Sequence, residues 1–238
     1  MDVDEVHLKN IVLEIDMHSF SSLLVDDTHL LNDLWFYKKY MSYSEMKEIR
    51  NESYPALYIE ANFPFIGSGS DIIANTINHP KLTEIYQGWS KSDINFSSTP
   101  NKEAVAMERA NVHFKGYERI NPLIFEYFLK TLSLAKENNL TVILVSYPVS
   151  KEFDEAMEKL GITKDDYYST IFDGIDSVLD EYMYFDYYDM FFYNPELLFD
   201  PDHLNSNGAE TFTKKIYEDY MAEKMSQYIE SEPNHKVR

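Results

Sequence analysis

Seven consecutive residues, Thr141-Val-Ile-Leu-Val-Ser-Tyr147, read as one strand, with four aliphatic side chains in a row at Val142–Val145 and no alternation of polar with apolar positions. A strand of that kind is buried on both faces, which occurs in parallel sheets covered by helices on each side. Its flanks agree. Asn121 is placed to cap a helix and Pro122 to open it, and Ile124, Phe128, Leu132 and Ala135 recur at helical spacing until Asn138-Asn139. After Pro148, Phe153, Met157 and Leu160 predict a short helix stopped by Gly161. Tyr168, Ile171, Phe172, Ile175, Val178, Leu179 and Tyr182 predict a longer one, and Met183–Tyr188 a further strand. Upstream, Asn10-Ile-Val-Leu-Glu-Ile-Asp16 reads as another strand buried on both faces. Strand, helix, strand, helices, strand is the order of an α/β domain with a parallel sheet.

The chain has 238 residues, which fits a single domain over 1–238 with a real core. Its 44% apolar and 15% aromatic content exclude a disordered chain. A formal net charge of −20 argues against nucleic acid and against an anionic membrane surface as partners. With zero cysteines, disulfides, thiolate chemistry and cysteine-ligated zinc are all excluded. No stretch approaches the roughly 20 apolar residues of a membrane-crossing helix, so no membrane segment is expected in these residues. No glycine-rich phosphate loop follows any of the three strands, which argues against a nucleotide-binding domain.

Between Asp26 and Gly116 the pattern is less regular. Asp33–Arg50 reads as helical, Tyr54–Phe65 as an extended segment, and Gly67-Ser-Gly-Ser-Asp71 as a turn. The stretch 26–116 is therefore expected to be an irregular cap or insertion beside the sheet, the kind of segment that shapes a substrate site.

The chemistry concentrates in Leu198-Phe-Asp-Pro-Asp-His-Leu-Asn-Ser-Asn-Gly-Ala-Glu-Thr-Phe212. Pro201 breaks any preceding element, and Asn207-Gly-Ala-Glu210 reads as a capped helix start. Asp200 and His203 then sit on a loop just ahead of that helix. A carboxylate beside an imidazole orients its tautomer and stabilises the imidazolium, as a general base for a hydroxyl nucleophile requires. Asp200, Asp202 and His203 are also metal-ligand types, but three ligands this close in sequence seldom converge without a fourth from elsewhere. No metal and no cofactor are assigned. His7, His18, His29, His79 and His113 are scattered and read as surface or packed histidines. The tyrosine-rich run Tyr182–Tyr193 reads as strand and core edge, with sugar stacking as the alternative.

The Asp-Pro-Asp-His-Leu-Asn-Ser-Asn-Gly-Ala run resembles the last conserved block of the SGNH (GDSL-like) hydrolase superfamily. The nearest likeness is to extracytoplasmic bacterial proteins related to polysaccharide O-acetyltransferases and to the accessory protein of lipoteichoic acid D-alanylation. The resemblance implies a three-layer SGNH/flavodoxin-like fold, with His203 as base, Asp200 as its orienting acid, and Asn205 and Gly208 in structural roles. That fold has five parallel strands in the order 2-1-3-4-5. The strands at Ile11, Val142 and Tyr184 would be its third, fourth and fifth, so the first two, with the nucleophilic serine, are expected upstream of Met1. On that expectation Ile11–Asp16 is an exposed edge that a partner or self-association covers.

Three serines within the chain are candidate nucleophiles: Ser19 at the end of a strand, and Ser68 and Ser70 in the Gly-Ser-Gly-Ser turn. Each also has an ordinary reading as a turn or cap residue. Ser146, inside a strand, reads as structural. Two functions follow. In the first, the chain is part of an acyl-ester hydrolase or O-acyltransferase acting on an acylated glycan of the cell envelope or another small acyl ester, extracytoplasmic and membrane-anchored in its full-length form by resemblance. In the second, it is a catalytically inactive SGNH-like binding module or a truncated product.

Overall fold

The apolar run Thr141–Ser146 is the middle strand of a three-stranded parallel sheet in the computed structural model, which describes residues 9–21, 41–50, 53–62, 85–86, 89–90, 92–114 and 119–231. In chain order the elements are strand β1 (Asn10–Glu14), helices α1 (Tyr43–Arg50) and α2 (Tyr54–Asn62), and the short antiparallel pair β2 (Ile85–Tyr86) and β3 (Trp89–Ser90). Helices α3 (Lys102–Phe114) and α4 (Pro122–Glu137) lead to strand β4 (Thr141–Ser146), followed by helices α5 (Lys151–Lys159) and α6 (Lys164–Asp176). Strand β5 (Met183–Asp186), the antiparallel pair β6 (Leu198–Asp200) and β7 (His203–Leu204), and helix α7 (Ser206–Ser231) follow as the last of the described elements.

The sheet order is β1-β4-β5, with Val12 in register with Ile143 and Leu144 with Tyr184. Strand β4 separates two cores. Val142 and Leu144 pack into one with Ala106 and Ala110 of α3, Leu132 of α4, Met157 of α5 and Ile171 of α6. Ile143 and Val145 pack into the other with Phe96, Tyr187, Leu198 and Phe212 of α7. The domain is thus a three-layer α/β arrangement, with four helices on one side of the sheet and α7 on the other. Burying each such aliphatic side chain is worth about 1.5–3 kcal/mol, so a strand apolar on every position is stable only between two covered faces. Met46 of α1 and Leu57 of α2 form a smaller core with Met41 and Tyr43. No helix among the described residues is long and apolar enough to cross a membrane.

The helix signals at α4 and α5 are realised. Asn121 accepts from the amides of Leu123 and Ile124, with Pro122 opening the helix. Asn139 adopts the left-handed conformation (φ 54°) that ends it. Ser150 caps α5 by accepting from Phe153 N, and Gly161 (φ 71°) follows it.

Several expectations are corrected. Strand β1 is not buried on both faces. Among the described residues it pairs only with β4, and although Ile11 and Leu13 pack against the helical layer, Val12 is 54% exposed. Tyr54–Asn62 is a helix rather than an extended segment. Its aromatics favour strand, but Pro55 presets a helical φ in the first turn and Ala56, Leu57, Glu60 and Ala61 are strong helix formers. Within the stretch expected to be irregular, Lys102–Phe114 is a regular helix whose Ala106, Ala110 and Phe114 belong to the main core. Helix α6 ends at Asp176, where Ser177 caps it, so Val178 and Leu179 pack from the following turn. The last helix begins at Ser206, with Asn205 as its cap in place of Asn207: Asn205 Oδ1 accepts from Asn207 N at 3.1 Å and Gly208 N at 3.0 Å.

Gly208 is required at its position. A Cβ there would lie 1.9 Å from the Leu197 carbonyl oxygen, a backbone atom that a rotamer change cannot move aside. Helix propensity alone favours Gly208→Ala by roughly 0.5–1 kcal/mol. Overpacking against backbone opposes it, and the net expectation is a loss of about 1–3 kcal/mol. Urea unfolding of the variant measures the sign, and a stabilised Gly208→Ala would show that the first turn of α7 is not packed on Leu197.

Candidate functional site

Asp200 and His203 are directly opposite each other on β6 and β7, so the expected loop is a tight antiparallel turn. Asp200 Oδ1 accepts from Asp202 N at 3.0 Å, an Asx-type bond that closes the turn around Pro201. Ser150 N donates to Pro201 O at 2.8 Å, fastening the turn to the capped end of α5. Asn205 fixes its other end. Its side-chain amide donates to the carbonyls of Glu196 (2.7 Å), Ile94 (3.1 Å) and Leu198 (3.3 Å), while its oxygen caps α7.

The imidazole of His203 is thereby held with Nδ1 at 2.8 Å from Asp200 Oδ2 and 2.9 Å from Oδ1. Nδ1–H is the proton that a carboxylate partner selects, which leaves Nε2 with the lone pair a base needs. Bonding to Asp200 is the main cause holding the His203 pKa above its ordinary value, and Asp202 adds to it. The ring remains about half exposed.

Behind His203 lies Asp202, whose side chain is 0% exposed. A buried carboxylate needs charge and hydrogen bonds around it. Arg109 Nε donates to Oδ1 at 2.8 Å and to Oδ2 at 3.1 Å, and His113 Nε2 lies 2.9 Å from Oδ2. Although burial opposes it, hydrogen bonds from His113 and Arg109 and the charges of His203 and Arg109 hold the Asp202 carboxyl well below the usual range. Arg109 and His113 are one turn apart on α3, on the stripe that carries Ala106 and Ala110 into the core. Arg109 Nη2 is 3.4 Å from both ring nitrogens of His203.

The loop after β1 closes the cluster. His18 stacks on His113 with ring centroids 4.8 Å apart and stands 6.5 Å from His203. Burial, with His113 adding, pushes its pKa down to about 4, against the opposing pull of Asp202 and Glu14. Asp16 is buried and accepts from Tyr147 N at 2.6 Å, and burial foremost raises its pKa well above the carboxylate range. Three imidazoles and several carboxylates therefore meet beyond the C-terminal ends of β1 and β4, the edge where open α/β sheets place ligands.

Of the candidate nucleophiles, Ser19 is the one among the described residues, and it is not hydrogen-bonded to His203. Ser19 Oγ donates to Glu14 Oε1 at 3.0 Å, and among the described residues no serine hydroxyl hydrogen-bonds to His203. Ser68 and Ser70 lie outside the described residues. Ser146 is buried and donates to Asp186 Oδ1 at 2.9 Å, a structural role. Of the histidines read as scattered surface or packed residues, His18 and His113 are packed, but against each other and beside Asp202, while His7, His29 and His79 lie outside the described residues. The sequence signal is in the helix: Ala106, Arg109, Ala110 and His113 share one face, so Arg109 and His113 ride on an apolar stripe, whereas His18 has no such signal. No protein-family model matches the chain, and no curated protein matches it.

Two measurements follow from this geometry. Arg109→Met leaves Asp202 with one fewer charged donor, and the expected loss is about 1.5–3 kcal/mol in urea unfolding, the worth of a hydrogen bond to a charged group. A variant as stable as the wild type would mean Asp202 is not buried. For His18, the lowered pKa means the unfolded chain binds more protons between about 6.5 and about 4. Stability should therefore fall as pH drops through that window, and His18→Gln should remove part of the fall. Parallel stability-against-pH curves for the two proteins would contradict it.

Proposed function

We propose that the chain carries the acid–base half of an SGNH-like acyl-ester hydrolase or O-acyltransferase acting on an acylated glycan of the cell envelope or another small acyl ester. The observation that carries this reading is the in-place pair of Asp200 and His203, Nδ1 to Oδ2 2.8 Å, presented at the C-terminal edge of a parallel sheet. The element order supports it: third strand of the sheet, Asp-x-x-His turn, capped helix. In this chemistry a serine oxygen attacks the acyl carbonyl while His203 Nε2 takes its proton. The proton then passes to the leaving alkoxide, and Asp200 stabilises the imidazolium in between. Water or an acceptor hydroxyl resolves the acyl-enzyme, giving hydrolysis or transfer.

A second reading, an inactive SGNH-like binding module, is favoured by one observation. Among the described residues the hydroxyl of Ser19 is engaged with Glu14 and no serine hydroxyl hydrogen-bonds to His203.

Turnover of a p-nitrophenyl acyl ester series, with fluorophosphonate labelling read by mass spectrometry, separates the two. On the enzyme reading, one serine is labelled in the wild type, and His203→Ala lowers both labelling and turnover by roughly 10³-fold or more. Folded wild-type protein that neither turns over nor labels leaves the inactive reading, a binding module or a truncated product.

A further inference from the structure

We propose that His18, His113 and Asp202 form a binding site for one divalent transition-metal ion of the zinc class. This goes beyond the acyl-ester reading and does not rest on it. One donor atom from each of the three residues lies within 4.8 Å of the other two. The residues come from three separate segments: the loop after β1, the end of α3, and the β6–β7 turn. They are the distant partners that a site built on Asp202 alone would lack.

The donor arrangement fits a small ion. A tetrahedral ion with bonds of about 2.0–2.1 Å takes donors roughly 3.3 Å apart. His113 Nε2 and Asp202 Oδ2 already stand 2.9 Å apart, close to one edge of such a tetrahedron. Arg109 holds the carboxylate most closely at Oδ1, 2.8 Å, and so orients Oδ2 toward the histidines. The third donor has no hydrogen bond to give up: among the described residues the His18 ring makes only ring contacts, with His113 and His203. An imidazole beside a buried carboxylate with neither nitrogen partnered leaves hydrogen-bonding capacity unused. An ion between His18, His113 and Asp202 Oδ2 would employ it. To ligate through Nε2, a neutral His113 carries its one ring proton on Nδ1, which leaves Nε2 the lone pair the ion needs.

Ligand type selects the class of ion. Two imidazoles and one carboxylate suit zinc, cobalt or nickel, whereas calcium and magnesium take all-oxygen shells. Three protein ligands leave a fourth position open. The neighbouring set of Asp200, Asp202 and His203 is the weaker candidate. Asp200 and His203 bind each other at 2.8 Å, and an ion held there would have to break that pair.

The test is binding itself, read without any activity. The full chain, stripped with chelator, is titrated with Zn²⁺ by calorimetry and with Co²⁺ by visible absorption. One ion per chain is expected, with the intense d–d band of a four-coordinate Co²⁺ site. His18→Gln should weaken binding by at least the roughly 10–100-fold that losing even an outer-shell partner costs. Asp200→Asn should bind as the wild type does. As a check that needs no variant, imidazole ¹⁵N spectra of the wild type should show His18 and His113 shifting on Zn²⁺ addition with His203 unmoved. No binding by the wild type overturns the proposal. So does an ion whose binding depends on Asp200 and His203 but not on His18. Absence of ester turnover bears only on the acyl-ester reading.

Discussion

A carboxylate removed from water dictates what surrounds it, and Asp202 does so for this site. Its side chain is fully buried, so an ionised oxygen without partners would cost several kcal/mol. Arg109 and His113 supply the partners, and because both lie on α3, the turn between β6 and β7 is tied to a helix about ninety residues earlier in the chain. His203 follows Asp202 directly, so what holds one positions the other. His18 then stacks on His113, which adds the loop after β1 to the same cluster. The site is thus assembled around one buried charge.

That charge is held in place by a backbone scaffold with little freedom. Asn205 donates to three carbonyls and accepts from two amides, joining the segment before β6, the turn and the first turn of α7. Gly208 lets α7 approach the Leu197 carbonyl, which sets the distance between the helix and the strand pair. Ser150 serves both α5 and the turn, capping the helix with its hydroxyl while its amide donates to Pro201 O. Asp200 therefore meets His203 through geometry fixed by short hydrogen bonds on either side, as a preorganised acid–base pair requires.

Much of the fold was legible because its signals are local. The uninterrupted apolar run of β4, the Asn121-Pro122 start of α4, the Ser150 cap and the stop at Gly161 depend on neighbours within a few residues. The misreadings share a cause. At Tyr54–Asn62 aromatic and β-branched residues outweighed Pro55 and the alanines. At Lys102–Phe114 a helical stripe containing Arg109 and His113 did not register as apolar, although both side chains turn inward to a buried charge. At the start of α7 two asparagines stand two residues apart, and local chemistry favours either as cap. Asn205 takes the role because its amide is also needed by the carbonyls of Ile94, Glu196 and Leu198.

By itself, the sequence determined the α/β class, the parallel sheet's buried middle strand and the pairing of Asp200 with His203, all set by side-chain periodicity or by residues three apart. Only the tertiary structure decided that Arg109, His113 and His18 join them, since Asp202 draws those partners from segments distant along the chain. It also decided that β1 leaves Val12 exposed, because burial depends on which neighbours a strand has and not on its own composition. Periodicity records which side chains must leave water. Which distant side chains they meet depends on how the layers pack.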